Sequence, residues 1–437
     1  MFAYYLRLAT KSIRRNPYLS LLMMLAIALG IGACMTTITV NYIMSSNPIP
    51  HKSDDLYYVQ LDSWDPYSPF REPNEPPDQL TWRDATNLME AKRAHRQTAM
   101  ATSGAVVEPA DQDINPFMAS LRLNFSDFFP MFDTPFLYGS GWGSEDDNDP
   151  AYVVVISKDV NDRVFGGENS VGRTLTVAGK PFRVVGVLDT WIVVPRFYDV
   201  TTNAFQDTAD IFMPFYMKRE LELPNSGNTN CWKSPEGEGF TAFLQSECIN
   251  FQMWVELPSD GERAAYLDFM NSYVEQQKAL GRFERPLNNR LSDVMTWLEN
   301  QQVVADDAQI MLWVALLFLL VCILNTIGLL LSKFSQRSSD VALRRAIGAS
   351  RSAIFAQYLT ETALIGVAGG IAGLGLTLLG LEGIKLLYGD FVSNLVALDI
   401  PLVIAAILLS VLASMLAGCY PAWRATLIAP ASQLKTQ

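Results

Sequence analysis

The sequence predicts a membrane protein built as an α-helical four-span bundle, with a large α+β extracytoplasmic domain inserted between spans 1 and 2. Three observations carry that expectation. Hydrophobic residues make up 49% of the 437, and they are bunched into runs at 19–44, 308–331, 363–381 and 400–419. Each run approaches or exceeds the ~20 apolar residues that cross a bilayer as helix. The net charge of −12 is unevenly spread: residues outside 45–307 hold five Asp+Glu and twelve Lys+Arg, leaving 40 of the 45 acids and 21 of the 33 bases inside. Short basic loops stay on the inner side of a membrane, so the acidic block reads as external and both termini as cytoplasmic. Within 45–307, short β-branched runs alternate with helical patterns, the mark of a mixed domain.

In chain order, residues 1–17 read as a cytoplasmic interfacial helix, because Arg7, Lys11, Arg14 and Arg15 line one face of an apolar segment that Asn16-Pro17 ends. Span 1 covers 18–44. Its Ile31-Gly32-Ala33-Cys34 loosely resembles a lipoprotein cleavage box, but the apolar run continues through Ile38, Val40 and Ile43, so the span is retained. The two prolines of Asn47-Pro48-Ile49-Pro50 then stop it. The external domain, 45–307, begins with a strand over 56–61 and a helix over 78–94. Strands follow at 152–157, 174–177, 182–188 and 251–257, and a helix at 260–280. The expected plan is a base of about 45–114 and 231–286, an inserted lobe of about 115–230, and a stalk helix over 287–307. Leu287, Leu291, Val294 and Leu298 recur by fours and threes with no proline before span 2 (308–331), which reads as one long helix. A cytoplasmic segment (332–361), span 3 (362–381), a short periplasmic loop (382–399), span 4 (400–419) and a cytoplasmic tail (420–437) complete the chain.

The segment 332–361 is the most distinctive stretch. Up to Thr360 it sets Lys333, Arg337, Arg344, Arg345 and Arg351 against Asp340 alone. Its punctuation is helix, turn, helix: Val341 to Ile347 are helix formers, Gly348 suits a helix end in the left-handed conformation, and Ser350 suits the cap of the next helix. On charge alone the arginines can anchor the loop to anionic headgroups or grip a partner protein. Elsewhere motifs fail. GENSVGRT (167–174) has the outline of a phosphate loop but Arg173 in place of its lysine, so a β-turn is expected. The DQDIN start of a calcium loop at 111–115 lacks the glycine and glutamate that should follow. With His51 and His95 the only histidines, a histidine-built zinc site or a catalytic triad is not expected, and nothing suggests nucleic-acid binding. Span interiors carry no charged residue, which disfavours ion-driven transport. Span 3 is instead rich in glycine, with Gly366, Gly369, Gly370 and Gly373 forming interleaved G-x3-G pairs. Close packing inside the chain and against a second permease remain equal alternatives. Cys231 and Cys248 are expected to form a disulfide, since both lie in the external block, whereas Cys34, Cys322 and Cys419 fall in spans.

The string DVALRRAIGAS closely resembles the cytoplasmic coupling segment of MacB-type, FtsX-like ABC transporter permeases. The likeness extends to RRNPYLSLLMMLAIALGIG, LNFSDFFPMFDTPFLYGSGW, VFGGENSVGRTLTVAGKPFRVVGVL and the closing YPAWRATLIAPASQL. Asp340 stands where the family more often has Glu. The resemblance implies a non-catalytic subunit of the inner membrane that binds no cofactor itself, ATP and Mg residing in a separate ABC ATPase dimer. It further implies contact with that ATPase through Asp340, Val341, Leu343, Arg344, Arg345, Ile347 and Gly348, with Arg344 and Arg345 as the grip. A second permease, identical or homologous, would complete the transporter, with membrane lipids around it and a periplasmic adaptor and outer-membrane duct as further partners. Hydrolysis would then act at a distance, by mechanotransmission, to extrude a periplasmic substrate. The alternatives within the family are regulation of a cell-wall hydrolase and release of lipoproteins.

Overall fold

Apolar runs with no partner but lipid or one another must satisfy every backbone group internally, and the four runs do so as helices. In the computed structural model, which describes residues 2–148, 151–304, 306–388 and 400–427, they are span 1 (Pro17–Met44), span 2 (Asp306–Ser335), span 3 (Arg351–Tyr388) and span 4 (Ile400–Thr426). All four are long and apolar enough to cross a membrane. Residues 389–399 of the expected periplasmic loop and 428–437 of the expected tail lie outside the described residues. The chain divides into two compact units, one formed by Met1–Met44 with Val304–Gln437, the other by Ser45–Val303.

In the first unit the N-terminal helix (Phe2–Arg15) precedes span 1, with the break at Asn16. Span 3 is one 38-residue helix, so the second helix of the basic segment and the span are continuous. Gly366, Gly369, Gly370 and Gly373 pack inside the chain. A side chain at Gly369 or Gly373 would meet Ile27 or Ile31 of span 1 at 2.9 and 3.0 Å, and one at Gly366 would strike Ser414 of span 4 and the Ser410 carbonyl at 3.0 Å. Gly370 sits as close to the Ser410 side chain. These contacts are the first of the two alternatives, close packing inside the chain.

The second unit is organised on a 12-stranded mixed sheet. Its strands are β1 (Leu56–Gln60), β2 (Leu80–Thr81), β3 (Arg96–Glu108), β4 (Phe117–Asn124), β5 (Phe136–Gly139), β6 (Val153–Ile156), β7 (Thr174–Val177), β8 (Lys180–Leu188), β9 (Ile211–Pro214), β10 (Asn230–Cys231), β11 (Cys248–Glu256) and β12 (Arg290–Asp293). The main path runs β12-β1-β11-β3-β4-β9-β6-β8-β5, with β4–β9 and β6–β8 parallel. Expected base strands therefore occupy one side and expected lobe strands the other, joined by the long β3–β4 hairpin; the insertion extends the base's sheet and makes none of its own. Alternate residues bury on opposite faces. Tyr57, Val59, Met253 and Val255 join one core with the helix Asp260–Ala279, while Leu56, Tyr58 and Trp254 join the other. β11, at the centre, is buried along its whole length. Cys231 and Cys248 stand directly opposite in the β10–β11 pair and are joined by a disulfide.

The continuous stalk helix expected from Leu287 into span 2 is not there. Residues 290–293 instead pair with β1 as an edge strand, and the Asp293 carboxylate accepts from the Thr296 amide at 2.9 Å, capping a separate helix over Val294–Asn300. Val294, Trp297 and Leu298 of that helix bury in the domain core, where Trp297 stacks on Tyr58 with ring centroids 3.7 Å apart. Gln302, at φ +48°, ends it before span 2 begins. Ladder bonds and a buried tryptophan outweigh the helical spacing of four aliphatic residues, and Leu287 is left exposed.

Candidate functional site

The segment between spans 2 and 3 folds as its punctuation predicts. A short helix over Ser338–Ala346 ends in a Schellman closure: the Ala349 amide donates to the Arg344 carbonyl at 3.0 Å and the Gly348 amide to the Arg345 carbonyl at 3.2 Å, with Gly348 at φ +104°. Ser350 then caps span 3 by accepting from the Ala353 amide at 3.2 Å.

The seven residues expected to contact a partner separate into two groups. Val341 is buried in the core of the bundle. Asp340 pairs with Arg15 at 3.1 Å. Arg344 donates to the Gln357 side chain at 2.7 Å, and Arg345 to the Thr426 carbonyl at 3.0 Å. Both expected gripping arginines are thus half-buried and engaged within the chain, where they fasten the short helix to spans 3 and 4. Ser339 and Asp340 are exposed at the start of this helix, and apolar residues are exposed at its end: Leu343 is 55% exposed and Ile347 79%, with Ala346 and Gly348 beside them. A lone exposed leucine means little, but two large aliphatic side chains together at the end of a nine-residue helix, Ile347 being its C-cap, make a contact surface.

Directly behind lies a buried ionic cluster that a reading of loop charges misses. Lys333 and Glu361, both 0% exposed, pair at 2.7 Å, and Lys333 also donates to the Ser20 hydroxyl at 3.0 Å. Arg337 approaches the other Glu361 oxygen at 3.7 Å and donates to the Ser12 carbonyl at 2.9 Å, while the Ser12 hydroxyl donates to Glu361. One carboxylate thereby ties the N-terminal helix, the start of span 1, the end of span 2 and span 3 together. Span 2 runs past Leu331 to Ser335, so Lys333 stands on its last turn and Arg337 in the turn that follows. Breaking such a pair leaves an uncompensated buried charge.

In the second unit, GENSVGRT is a turn: the Arg173 amide donates to the Ser170 carbonyl at 2.9 Å, with Gly172 at φ +88°. At Asp111 the side chain closes a local turn by accepting from the Asp113 amide at 3.0 Å. His51 pairs with Asp133 at 2.7 Å on the surface. Among the described residues no group of three or more His, Cys, Asp or Glu is placed to hold a metal.

Two family profiles match successive parts of the chain: the MacB-like periplasmic core domain matches residues 20–265, and the FtsX-like permease C-terminal matches residues 312–430. The pyoverdine export ATP-binding/permease protein PvdT of Pseudomonas entomophila (strain L48) is 25% identical over 313 residues, 71% of this chain and 42% of that protein. The chain spans about half or less of such relatives' own length. By contrast the ABC transporter permease YknZ of Bacillus subtilis (strain 168) is 21% identical over 452 residues, 98% of each chain. Among solved structures, the periplasmic region of MacB from Actinobacillus actinomycetemcomitans covers 58% of this chain and 94% of that one, at 15% identity and a TM-score of 0.36. With four apolar helices, the α/β domain between the first and second, and both profiles in order, this chain belongs to the MacB/FtsX-like family of ABC transporter permeases.

Proposed function

We propose that the chain is the permease subunit of an ABC transporter in which ATP hydrolysis by a partner ATPase dimer moves the spans through the Ser338–Ala346 helix and drives export of a substrate from the periplasm. The observation that carries this reading is the division of labour on that helix. Arg344 and Arg345 hold it to its own chain, and Leu343 and Ile347 face outward. A contact that transmits force needs both a firm mount and a surface to push on. The mount continues into a 38-residue helix about 55 Å long and, through Glu361, into the N-terminal helix and spans 1 and 2. Export is in keeping with the relatives named for pyoverdine export. ATP and Mg would reside in the partner ATPase. The cation bias is in keeping with both termini in the cytoplasm and the chain in the inner membrane. A second permease, identical or homologous, completes the unit, and a periplasmic adaptor with an outer-membrane duct would carry substrate onward.

The test is co-purification of the full chain with its ABC ATPase, together with ATP turnover by the pair. A Leu343→Asp, Ile347→Asp variant, altered at exposed positions alone, should insert normally and lose roughly tenfold or more in ATPase affinity, as loss of a hot spot does. Retention of the ATPase at wild-type levels by that variant would overturn the assignment.

A further inference from the structure

A cavity of about 360 Å³ opens where three helices of the bundle meet, and each contributes a stripe of residues at helical spacing. Leu8, Lys11, Ser12 and Arg15 come from the N-terminal helix. Arg337, Asp340, Val341, Leu343 and Arg344 come from the short helix and its entry, Leu343 lying at its outer edge. Ile354, Gln357 and Tyr358 come from span 3. The lining is therefore of two kinds: an apolar floor of Leu8, Val341, Ile354 and Tyr358, and a rim of four cations with one acid. The rim has donors to spare. Among the described residues Lys11 is exposed and has no partner, the Arg15–Asp340 pair is solvent-exposed and so weakly held, and the buried Arg337 Nε has no acceptor.

We infer that this cavity binds the phosphodiester headgroup of an anionic phospholipid, with Lys11, Arg15 and Arg337 on the phosphate and the apolar floor against the glycerol and upper acyl chain. A free phosphate would use the rim and leave the floor unused. An acidic segment of a partner protein would do the same. The N-terminal helix also carries exposed Tyr4 and Leu6 beside exposed Arg7, Lys11 and Arg14, the composition of a segment lying in the headgroup layer, so its cavity faces the lipid source. A lipid held there would wedge between the N-terminal helix and the short helix that bears Leu343.

The probe is short-chain phosphatidylglycerol titrated against the detergent-purified full chain and followed by native mass spectrometry. Short-chain phosphatidylcholine and inorganic phosphate serve as competitors. Wild type should bind one phosphatidylglycerol in preference to phosphatidylcholine. Lys11→Gln with Arg15→Gln should weaken that binding on the order of tenfold, two surface cations having been removed. Arg14→Gln, on the same helix but outside the cavity, should leave it unchanged. Equal weakening by Arg14→Gln would reduce the effect to diffuse charge and overturn the inference. So would equal binding of phosphatidylcholine, or displacement by inorganic phosphate at matched concentration. Unchanged lipid binding by the double variant, with weaker retention of the ATPase, would assign the cavity to the protein partner instead.

Discussion

Lys218 shows how much one side chain can hide in a domain otherwise built by ordinary rules. It sits in the short helix Met217–Glu220, is 0% exposed, donates to the Pro224 carbonyl at 2.8 Å, and otherwise lies 6.0 Å from the Phe240 ring. Burial without a carboxylate partner disfavours the ammonium, and its pKa falls to about 7. In the unfolded chain the same group holds its proton to roughly pH 10.4. Between those values the unfolded state binds more protons, so this lysine makes stability rise as pH climbs from about 7 and contributes no slope below that. Replacing it with methionine leaves the Pro224 carbonyl the Ser103 hydroxyl at 2.7 Å and fills similar volume. The expected outcome is a Lys218→Met protein that is more stable than wild type at pH 7, with the gap narrowing steadily by pH 9.5. Thermal melts at four or five pH values measure it, and a gap independent of pH would refute the neutral buried amine. Taking the difference between the two proteins cancels other titrating groups, including Asp78 and Asp147, whose pKa values are raised by burial.

Among elements, span 3 makes the sharpest claim, because its glycines lie against backbone as well as side chains. A valine at Gly366 would meet the Ser414 side chain and, at 3.0 Å, the Ser410 carbonyl, which cannot rotate away. Gly375, on the same helix, has nothing within 4 Å. Gly366→Val should therefore cost roughly 1–3 kcal/mol, seen as a lower melting temperature in detergent, and Gly375→Val should not. If both variants melt alike, the glycines do not set the contact between spans 3 and 4. The glycine pattern was visible in the sequence; which helix it met was not, since a G-x3-G face is the same whether the neighbour is in the chain or outside it. A similar ambiguity defeated the stalk. Leu291 and Val294 satisfy helical spacing while belonging to a strand and the following helix, and only pairing with β1 decides between them. The strand β3, thirteen residues long, escaped notice because RQTAMATSGAVVE is rich in Ala, Thr and Ser where strands usually announce themselves by β-branched and aromatic residues. Small side chains suit it, since it lies between β11 and β4 with the core over Ala99, Ala101 and Ala105. On the short helix, charge pattern located the segment but assigned its arginines outward, when Gln357 and the Thr426 carbonyl, contributed by spans 3 and 4, draw them in.

For the molecule as a whole, the charge partition and the four apolar runs sufficed to locate the large domain, because membrane crossing is decided by length and composition with little help from tertiary context. What they do not reveal is that the domain closes upon itself. The unit Ser45–Val303 has its own sheet, two cores on the sheet's faces and a disulfide between adjacent strands. Buried ion pairs join its distant parts: Arg282 bridges Asp84 at 2.8 Å and Glu247 at 2.7 Å, linking the start of one helix, the edge of β11 and the loop before β12. Such a body should not need the spans to fold. Residues 45–303, secreted to an oxidising compartment, should yield a soluble monomer with one cooperative thermal transition. Cys231 and Cys248 lie 17 residues apart, and by the chain-entropy account the bridge is worth about 3 kcal/mol. A Cys231→Ser, Cys248→Ser form should therefore keep the same circular dichroism and melt on the order of 10 °C lower, as that free energy implies for a domain of this size. Light scattering and a melt followed by circular dichroism check both statements together. A fragment that aggregates when oxidised, or shows two separate transitions, would mean that the single sheet is not the cooperative unit.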